Sequence, residues 1–518
     1  MNFQTIHLLV LSALACDAYK ILLVFPFPSK SHAILGEGYV RNLLKAGHEL
    51  TYITPYPKDP APNLRVIQIT QHAFEEKMNS MFTIEKLIDN TLALKEMFSI
   101  LKSFIDTAND TVSNTEVQQL MLDPQTHFDV VIAEWMLTEI FSGFSKIFNC
   151  PLIWSSSMEP QSPILQLIDE MVHPAYSSNM LGLFEPPYNF FQRAINTLIE
   201  IGLKVAKWFS ALIEEQIYKE AFAAAFKAKG LVQPSLEELR YSAALVLGNS
   251  HVSSGAPLKL PQNYKAIGGY HIDEQSKPLP KEFKNILDNS KQGVIYFSLG
   301  SVVPSKSMPA AIKTGLFEMF RNLKHTVIWK FEDEFQNVPD NVHVVKWAPQ
   351  QSILAHPNCI LFITHGGLLS TTETLHYGVP IIGMPIFGDQ AMNVKKAVHK
   401  GIGLEVKFDS DTPKNLKAAI NEVLSNQKYR DRVKELSLIY HDRPVSPGAE
   451  LVHWVEHVVK TKGALHLRSP ALHVPLYQKL LLDLIFVSLL LFLGFVFFVK
   501  FMVTRCLKKK TDIRKKTL

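Results

Sequence analysis

The sequence predicts an α/β protein with two doubly wound, Rossmann-like domains that face a cleft, followed by one transmembrane helix. Three observations support this prediction. Short apolar segments alternate with segments of helical periodicity in each half, a polar connector separates the halves, and a long uncharged apolar run lies near the C-terminus. The length of 518 residues, with 47% apolar composition, is also more than one ordinary core requires.

Residues 1–18 are predicted to form a secretory signal peptide. An apolar run from Ile6 to Ala18 ends in small residues, and cleavage is expected after Ala15 or Ala18. The segment before this run lacks Lys and Arg. The alternative, a buried first strand or helix, is less favoured because another apolar strand begins at once with Tyr19.

The first domain is predicted over residues 19–270. A nearly all-apolar strand from Tyr19 to Phe27 precedes a segment of helical spacing, which Gly47 ends before the next strand begins. Together these segments form a βαβ unit, the building block of a doubly wound sheet.

The rest of the first domain is predicted to hold two more buried strands and a helical region. The strands cover Phe128–Trp135 and Cys150–Ser157, and a helix over residues 136–148 connects them. From about Ser162 to Gly230, long apolar stretches with scattered charges predict helices. Their apolar excess allows two interpretations, ordinary helix packing or a surface that docks a substrate or the membrane.

A polar, proline-containing connector is predicted over residues 271–290, and the second domain over 291–465. The second domain repeats the alternation of strand and helix and ends with a tail helix near residues 448–462. Its predicted strands lie in the segments GVIYFSLGS, HTVIWKFE, VHVVKWAP, CILFITHGG and VPIIGMP.

The C-terminal region is predicted to anchor the chain in a membrane. Residues 484–503 carry no charge except Lys500, which can snorkel, and are long enough to cross a bilayer. Residues 504–518 form a basic tail, which the positive-inside rule places in the cytosol with the body on the opposite, lumenal side. The final KKTL resembles a dilysine signal for the endoplasmic reticulum, and a merely lipid-attracted tail is the alternative.

Charge is concentrated in this tail. From Lys500 onward there are eight Lys or Arg residues against one Asp, whereas the whole chain has 53 basic and 48 acidic side chains. The body is therefore slightly acidic, which excludes a basic nucleic-acid-binding protein. In the predicted lumenal body, Cys150 and Cys359 are too few for a disulfide framework, and Asn109 in the sequon Asn109-Asp110-Thr111 is a predicted glycosylation site.

A phosphate-bearing ligand is predicted at the segment FITHGGLLSTTETLHYGVPIIGMPIFGDQAMN. His365 follows the end of a strand, and Gly366 and Gly367 lead into a helix, so a bound anion would meet free N–H groups and the helix dipole. In open α/β sheets, ligands sit outside the carboxyl ends of strands. The GDQ sequence that follows the next strand would face the same crevice.

This segment resembles the motif of the UDP-glycosyltransferase family, in particular the membrane-bound animal branch in an insect-like form. Supporting matches are FSLGS at 297–301, WAPQ at 347–350, the segment from His441 to Leu472, and the membrane anchor. The resemblance covers nearly the whole chain and is tighter in the second half. It implies a two-domain fold of the GT-B type, with the donor held mainly by the C-terminal domain.

The resemblance implies a role for each matching donor-site residue. Trp347 would stack on uracil, Gln350 would hydrogen-bond the nucleoside, and Glu373 would accept hydrogen bonds from the ribose hydroxyls. Asp389 and Gln390 would hold hydroxyls of the transferred sugar. Without the resemblance, Glu373 would be an ordinary first-turn acid favoured by the helix dipole.

The diphosphate would be surrounded by Ser301, His365, Gly367 and Ser370, through a hydroxyl, an imidazole and backbone N–H groups. One position departs from the family pattern: Leu369 stands where many relatives have Asn. This departure bears on fine donor preference.

On the acceptor side, His32 at the start of the first predicted helix matches the family's general base. A helix N-terminus disfavours imidazolium, so the ring would stay neutral and able to accept a proton. Glu134 stands where the family has an orienting Asp; a Glu can orient imidazole through its other nitrogen, although its extra methylene changes the geometry.

The implied reaction is inverting transfer of a hexose from a UDP-sugar, with UDP-glucose as donor, to a hydroxyl of small lipophilic acceptors, as in detoxification. The implied location is the endoplasmic reticulum membrane, with a single span and the catalytic body in the lumen. UDP-glucuronate is the alternative donor, and a non-catalytic UDP-sugar-binding relative is the alternative class. The UDP-sugar is a co-substrate, no cofactor or metal is expected, and a homo-oligomer is possible.

Two motifs typical of metal sites receive non-metal interpretations. The Asp409-Ser410-Asp411 sequence lies between a predicted strand and a predicted helix, where a turn with a helix cap is expected. His453 and His457 match an H-x-x-E-H zinc pattern, but relatives carry aromatic residues there, so both are expected on the flank of the tail helix.

Overall fold

The computed structural model describes residues 18–70, 94–169, 173–177, 184, 186–254, 258–300, 308–333, 335–386 and 388–516. The chain divides into two compact units, one ending at Arg468 and the other beginning at Ser469. The larger unit holds both α/β halves, and the smaller one holds the apolar C-terminal run. The predicted signal peptide lies outside the described residues apart from Ala18.

The strands described in the first half form one parallel sheet in the order β3-β2-β1-β4-β5-β6-β7. Its central strands are buried along their length because helices cover both faces. The order reverses between β1 and β4, which makes that point the switch point of the sheet. The strands are β1 Lys20–Val24, β2 Glu49–Thr54, β3 Leu64–Gln68, β4 Val130–Glu134, β5 Leu152–Ser156, β6 Leu245–Gly248 and β7 Tyr264–Ala266.

Two apolar clusters lie on the two faces of this sheet. One includes Phe144 and Phe222 from two of the helices, and the other includes Leu35 and Tyr39 from the helix that follows β1. The helices of this half are α1 Lys30–Lys45, α2 Leu94–Ser113, α3 Thr115–Leu122, α4 Ser142–Phe148, α5 Ser162–Leu165, α6 Phe190–Ala228 and α7 Leu236–Arg240.

The second half repeats the design with a parallel sheet in the order β10-β9-β8-β11-β12-β13. Its switch point lies between β8 and β11. All five strands predicted here are confirmed, each shorter than its apolar segment. The strands are β8 Val294–Ser298, β9 Thr326–Lys330, β10 Val342–Val345, β11 Cys359–Thr364, β12 Ile381–Gly383 and β13 Gly403–Glu405.

The helices of the second half again cover both faces of their sheet, except that the last one packs elsewhere. That helix, predicted as the tail helix, inserts Leu451, Val455 and Val458 into the apolar cluster of α1. It therefore covers the first sheet. The helices are α8 Lys281–Asn289, α9 Ala310–Arg321, α10 Gln350–Leu354, α11 Leu368–Tyr377, α12 Gln390–His399, α13 Thr412–Ser425, α14 Gln427–His441 and α15 Pro447–Lys460.

Three local features differ from the sequence-based expectation. The helix expected over 136–148 begins only at Ser142, because Leu137 takes a left-handed conformation with φ of 58° that a helix cannot include. The predicted connector contains α8, whose Phe283 and Leu287 are buried in the second core. The helical region after Ser162 is dominated by one helix of 39 residues, α6.

The larger unit ends with a short 3₁₀ turn, Leu465–Leu467. The smaller unit contains the 3₁₀ turn Pro470–His473 and the helices α16 Leu476–Lys479 and α17 Leu482–Lys516. Residues Leu482–Lys508 of α17 are long and apolar enough to cross a membrane, with 27 residues and an 18-residue window whose mean hydropathy is 2.7. This segment is longer than the predicted span of 484–503, because the helix continues into the predicted basic tail.

Candidate active site

A cavity of about 2150 Å³ is lined by residues that follow the carboxyl ends of strands in both sheets. The first half contributes residues after β1, β4 and β5, and the second half contributes residues after β8 to β12. This is where the doubly wound topology places ligands. The cavity therefore joins the acceptor and donor positions that the sequence predicts.

His32 and Glu134 meet at the switch point of the first sheet. His32 lies in the first turn of α1 after β1, and Glu134 ends β4, the neighbouring strand. Nδ1 of His32 and Oε1 of Glu134 form a direct contact, with side-chain exposures of 17% and 0%. The longer Glu side chain therefore reaches the imidazole in place of the Asp that the resemblance implies.

This contact determines the tautomer of His32. A carboxylate facing Nδ1 favours the proton on that nitrogen and leaves Nε2 as the acceptor. The ring also packs against Phe27, with centroids 4.5 Å apart. The second oxygen of the Glu134 carboxylate is buried and has no hydrogen-bond partner among the described residues. The imidazole is thus the main polar contact of this carboxylate.

His365 lies at the switch point of the second sheet, after β11 and before α11, where β11 is the counterpart of β4. Glycines give its ring room: a Cβ on Gly367 would come within 2.6 Å of Nε2, and a Cβ on Gly300 within 2.7 Å of the ring. Burial lowers the pKa of His365 to about 4, and the charge of Lys330 acts in the same direction. The imidazole is therefore neutral at physiological pH.

Lys330, at the end of β9, is a buried cation of the cavity that the sequence reasoning missed. Its Nζ donates to the carbonyl oxygen of Gly300 at 2.6 Å and lies 2.8 Å from Oε1 of Glu332. Lys330 and the start of α11 place positive charge beside the predicted diphosphate position. The only sequence signal was a lysine at the end of an apolar strand, which is also common at exposed strand ends.

Gln350, Glu373 and Ser370 form one hydrogen-bonded group. Nε2 of Gln350 donates to Oε2 of Glu373 at 2.6 Å and to Oγ of Ser370 at 3.3 Å. Gln351 donates to the other Glu373 oxygen at 3.3 Å. Short loops bring the starts of α10 and α11 together, so these predicted nucleoside and ribose ligands lie side by side.

Trp347 lies beside this group with its indole 53% exposed at the cavity. Nζ of Lys30, from the start of α1, lies 4.3 Å from the ring centroid. A core tryptophan would be buried, like Trp329 and Trp154 in this protein. The exposed ring face is suited to stacking on a planar base.

Asp389 and Gln390 begin α12 and face the same cavity. Burial raises the pKa of Asp389, and a 2.8 Å hydrogen bond from Asn393 and the proximity of His32 oppose that rise. Oε1 of Gln390 accepts a hydrogen bond from the backbone N–H of Ile386 at 2.8 Å, which fixes the amide. The predicted sugar ligands and the predicted base therefore lie close together.

The remaining predicted positions have different outcomes. Ser301 lies outside the described residues. Leu369 lines the cavity and packs against the apolar cluster that contains α1 and α15 residues, so an apolar contact replaces an amide at this position. Asn109 lies within α2 and its sequon partner Thr111 is buried, so its glycosylation stays a prediction that requires modification before folding.

One of the two metal-like motifs lies in a turn, and the other lies on a helix. Asp409 accepts a hydrogen bond from the backbone N–H of Asp411 at 2.9 Å in the turn before α13, although Asp411 makes no side-chain cap. His453 and His457 lie on α15, as expected, and His457 contacts His466. Among the residues that the structure describes, no group of three or more His, Cys, Asp or Glu side chains is arranged to hold a metal ion.

The part of the cavity in the first half is mostly apolar. A buried ion cluster borders it: Lys207 lies 2.8 Å from both Glu139 and Glu214, so its charge is balanced within the protein. Sequence reasoning found only the general apolar character of this region. The apolar lining residues include Ile100, Phe104, Met136, Met158, Leu167, Leu203, Trp208 and Leu212.

Two doubly wound domains whose strand ends line one cavity have the architecture of the GT-B fold of glycosyltransferases. Solved structures agree with this fold. A UDP-glucose:anthocyanidin 3-O-glucosyltransferase in complex with UDP covers 86% of this chain and 99% of its own, with a TM-score of 0.55 and 16% identity. Spinosyn forosaminyltransferase SpnP covers 86% and 100%, with a TM-score of 0.54 and 15% identity.

Sequence comparison identifies the family. Residues 20–517 match the family described as UDP-glucoronosyl and UDP-glucosyl transferase, and the chain belongs to that family. UDP-glucosyltransferase 2 of Dactylopius coccus is 31% identical over 97% of this chain and 96% of its own length. UDP-glucuronosyltransferase 2B15 of Rattus norvegicus is 29% identical over 90% and 89%. The protein is therefore a UDP-glycosyltransferase, an enzyme that transfers sugar from a UDP-sugar.

Proposed function

We propose that this UDP-glycosyltransferase transfers glucose from UDP-glucose, with inversion, to a hydroxyl group of small lipophilic acceptors. The observation that carries the proposal is the juxtaposition of a carboxylate-paired His32 with Asp389 in one cavity. A non-catalytic relative would not need a histidine held by a buried carboxylate beside the sugar ligands. Detoxification of lipophilic compounds is the physiological role that we infer from this activity.

The chemical step assigns the proton to His32. Nε2 of His32 takes the proton of the acceptor hydroxyl as the oxygen attacks the anomeric carbon from the face opposite UDP. The bond from that carbon to the β-phosphate oxygen breaks, and UDP leaves with the electron pair. Glu134 holds the imidazole and stabilises the imidazolium that forms. An α-linked donor therefore gives a β-linked product.

The leaving diphosphate gains charge during this step, and the second half is arranged to stabilise it. The N-terminal turn of α11, the neutral imidazole of His365 and the buried Lys330 supply hydrogen-bond donors and positive charge. Ser301 is proposed as a further hydroxyl ligand. In this scheme these groups stabilise the negative charge of the leaving diphosphate. The UDP-sugar is a co-substrate, and no step is assigned to a cofactor.

Donor choice is proposed from the charges around the sugar ligands. Glu159 lies near enough to Asp389 to raise its pKa further, and Glu159 itself pairs with Lys396 at 2.8 Å. Because Lys396 balances the charge of Glu159, the Asp389 carboxylate is the group that would repel a sugar carboxylate more than a neutral hydroxymethyl group. The likeness to an insect UDP-glucosyltransferase agrees with glucose, whereas the rat UDP-glucuronosyltransferase makes UDP-glucuronate the alternative.

Acceptor class and location are also proposals. Apolar side chains line the first half of the cavity, so burial of an apolar acceptor body would supply most of its affinity. The C-terminal helix fits a membrane anchor. We infer an endoplasmic reticulum protein with a cleaved signal peptide, a lumenal body and a cytosolic basic tail from the terminal segments.

The test is turnover of a panel of phenols and flavonoids by membranes carrying the full chain, with UDP-glucose and UDP-glucuronate in parallel. His32→Ala is assayed beside His399→Ala, which removes an exposed histidine away from the cavity. The proposal expects glucosides from the wild type and from His399→Ala, and none from His32→Ala. Glucuronides alone would reassign the donor, and UDP binding without product from either donor would select the non-catalytic alternative.

A further inference from the structure

His271 is a buried histidine of the cavity that the proposed reaction does not use. It lies at the start of the connector between the two halves and is 2% exposed. Neither of its ring nitrogens has a hydrogen-bond partner among the residues that the structure describes. Unpaired polar atoms at this depth are costly, so they indicate a missing interaction, such as one formed with a ligand bound.

Glu373, the proposed ribose ligand, is a charged neighbour of this ring. Nε2 of His271 lies 3.6 Å from Oε1 of Glu373, just beyond hydrogen-bond distance. At present Gln350 and Gln351 satisfy the two oxygens of Glu373, at 2.6 and 3.3 Å. A nucleoside that recruited Gln350 would remove the shorter of these bonds.

The connector holds His271 firmly from the other side. The carbonyl oxygen of the preceding Tyr270 accepts hydrogen bonds from Arg41 at 2.9 Å and Asn42 at 3.1 Å, both on α1. Arg41 also pairs with Asp273 at 2.7 Å. Gly38 permits this close approach, because a Cβ there would lie 2.9 Å from the Tyr270 ring. The backbone at His271 is therefore held to the helix that carries His32.

We propose that His271 is a positioning residue of the donor site, which holds Glu373 for the ribose. When the nucleoside engages Gln350, the Nε2–H of His271 closes onto Oε1 of Glu373. Both carboxylate oxygens then stay oriented toward the vicinal hydroxyls of the ribose. The inference rests on the proposed ribose role of Glu373, and it adds a connector residue that the donor motifs of the second half do not contain.

The test measures binding of UDP, 2′-deoxy-UDP and 3′-deoxy-UDP to the full-length protein in detergent by calorimetry. Two variants are compared. In His271→Asn the side chain is too short for its amide nitrogen to reach Glu373, and in His271→Gln the amide nitrogen takes the place of Nε2. Glu373→Gln serves as the reference for a lost ribose carboxylate. Ratios of dissociation constants are compared, because a ratio does not depend on the fraction of folded protein.

We expect the wild type to prefer UDP over at least one deoxy analogue, and His271→Asn to reduce that preference roughly tenfold, as for a lost hydrogen bond to a charged group. His271→Gln should restore most of it. In turnover assays His271→Asn should raise KM for the UDP-sugar while kcat changes little, because the residue does not contact the reacting atoms.

Two results would overturn the inference, and they differ in what they reject. If His271→Asn weakens binding of all three ligands by the same factor, His271 has only a structural role. If the wild type does not discriminate between UDP and either deoxy analogue, or if Glu373→Gln leaves the discrimination intact, the ribose role of Glu373 itself fails.

Discussion

Two histidines lie at the switch points of the two sheets, and their surroundings are opposite. His32 follows β1 at one switch point, whereas His365 follows β11, the counterpart of β4, at the other. A buried carboxylate faces His32, whereas burial and the nearby Lys330 act on His365 and lower its pKa to about 4. In the proposed reaction, the same residue type therefore accepts a proton in one half and stays neutral and faces an anion in the other.

This difference shows that the topology of a doubly wound fold determines where a ligand binds. The neighbouring charges determine whether a histidine at that place accepts a proton or stays neutral. A carboxylate stabilises the protonated form of an imidazole, as a base requires, and a cation destabilises it. In the proposed reaction, His32 gains a proton while His365 keeps its charge state.

The largest expected effect is that of His32→Ala. Removal of a general base lowers turnover by roughly 10²- to 10⁴-fold. UDP affinity should be unchanged, because the described donor contacts come from the second half. Initial rates with a saturating acceptor, together with UDP titration, measure both quantities. Wild-type turnover in this variant would assign the base elsewhere.

Glu134→Gln should have the next largest effect. The amide keeps the shape of the side chain but loses the charge that stabilises the imidazolium, so we expect kcat to fall roughly hundredfold, at the low end of the range for general base catalysis. In Glu134→Asp, kcat should fall less, since the variant keeps the negative charge at a longer distance from the His32 imidazole. Steady-state kinetics of the two variants separates the effect of the carboxylate charge from the effect of side-chain length. Equal losses of kcat would mean that the charge contributes nothing.

Trp347→Ala should weaken donor binding. Loss of base stacking costs about 1–3 kcal/mol, which raises KM for the UDP-sugar by roughly 5- to 150-fold. Trp208→Ala, which removes an exposed tryptophan on the acceptor side of the cavity, is the matched control and should leave that KM unchanged. The opposite pattern would place the base of the nucleotide in the first half.

The smallest effect concerns pH and His365. Its folded-state pKa of about 4 lies below the ordinary value of 6.5, so its neutral form favours folding above pH 6.5. As pH falls toward 4, the unfolded chain takes up a proton that the folded protein does not, and stability decreases. At pH 5 this loss is about 2 kcal/mol.

His365→Asn should remove this part of the acid sensitivity. The variant should therefore lose less stability than the wild type between pH 7 and pH 5, as measured by urea unfolding at both values. His251 and His376 also have pKa values lowered to about 4. Because the wild type and the variant both contain these two histidines, the difference between the proteins is due to His365. Equal losses in both proteins would contradict a neutral, buried His365.

Sequence reasoning predicted the strands and donor positions of the second half because apolar strands alternate there with glycine turns and polar strand ends. It did not find β3, β6 and β7 of the first sheet. β3 alternates exposed and buried residues, and β7 has only three residues. His271 and Lys330 were missed because their roles depend on packing between segments far apart in sequence.

The most direct measurement is chemical rescue of the two histidine variants by imidazole, with glucoside formation as the readout. His32→Ala leaves a space beside Glu134 that free imidazole fills, so added imidazole should restore part of its turnover at neutral pH. His365→Ala should show no such rescue, because its ring is not proposed to take a proton. Rescue of His365→Ala alone, or full activity of His32→Ala without imidazole, would contradict the division of roles between the two halves.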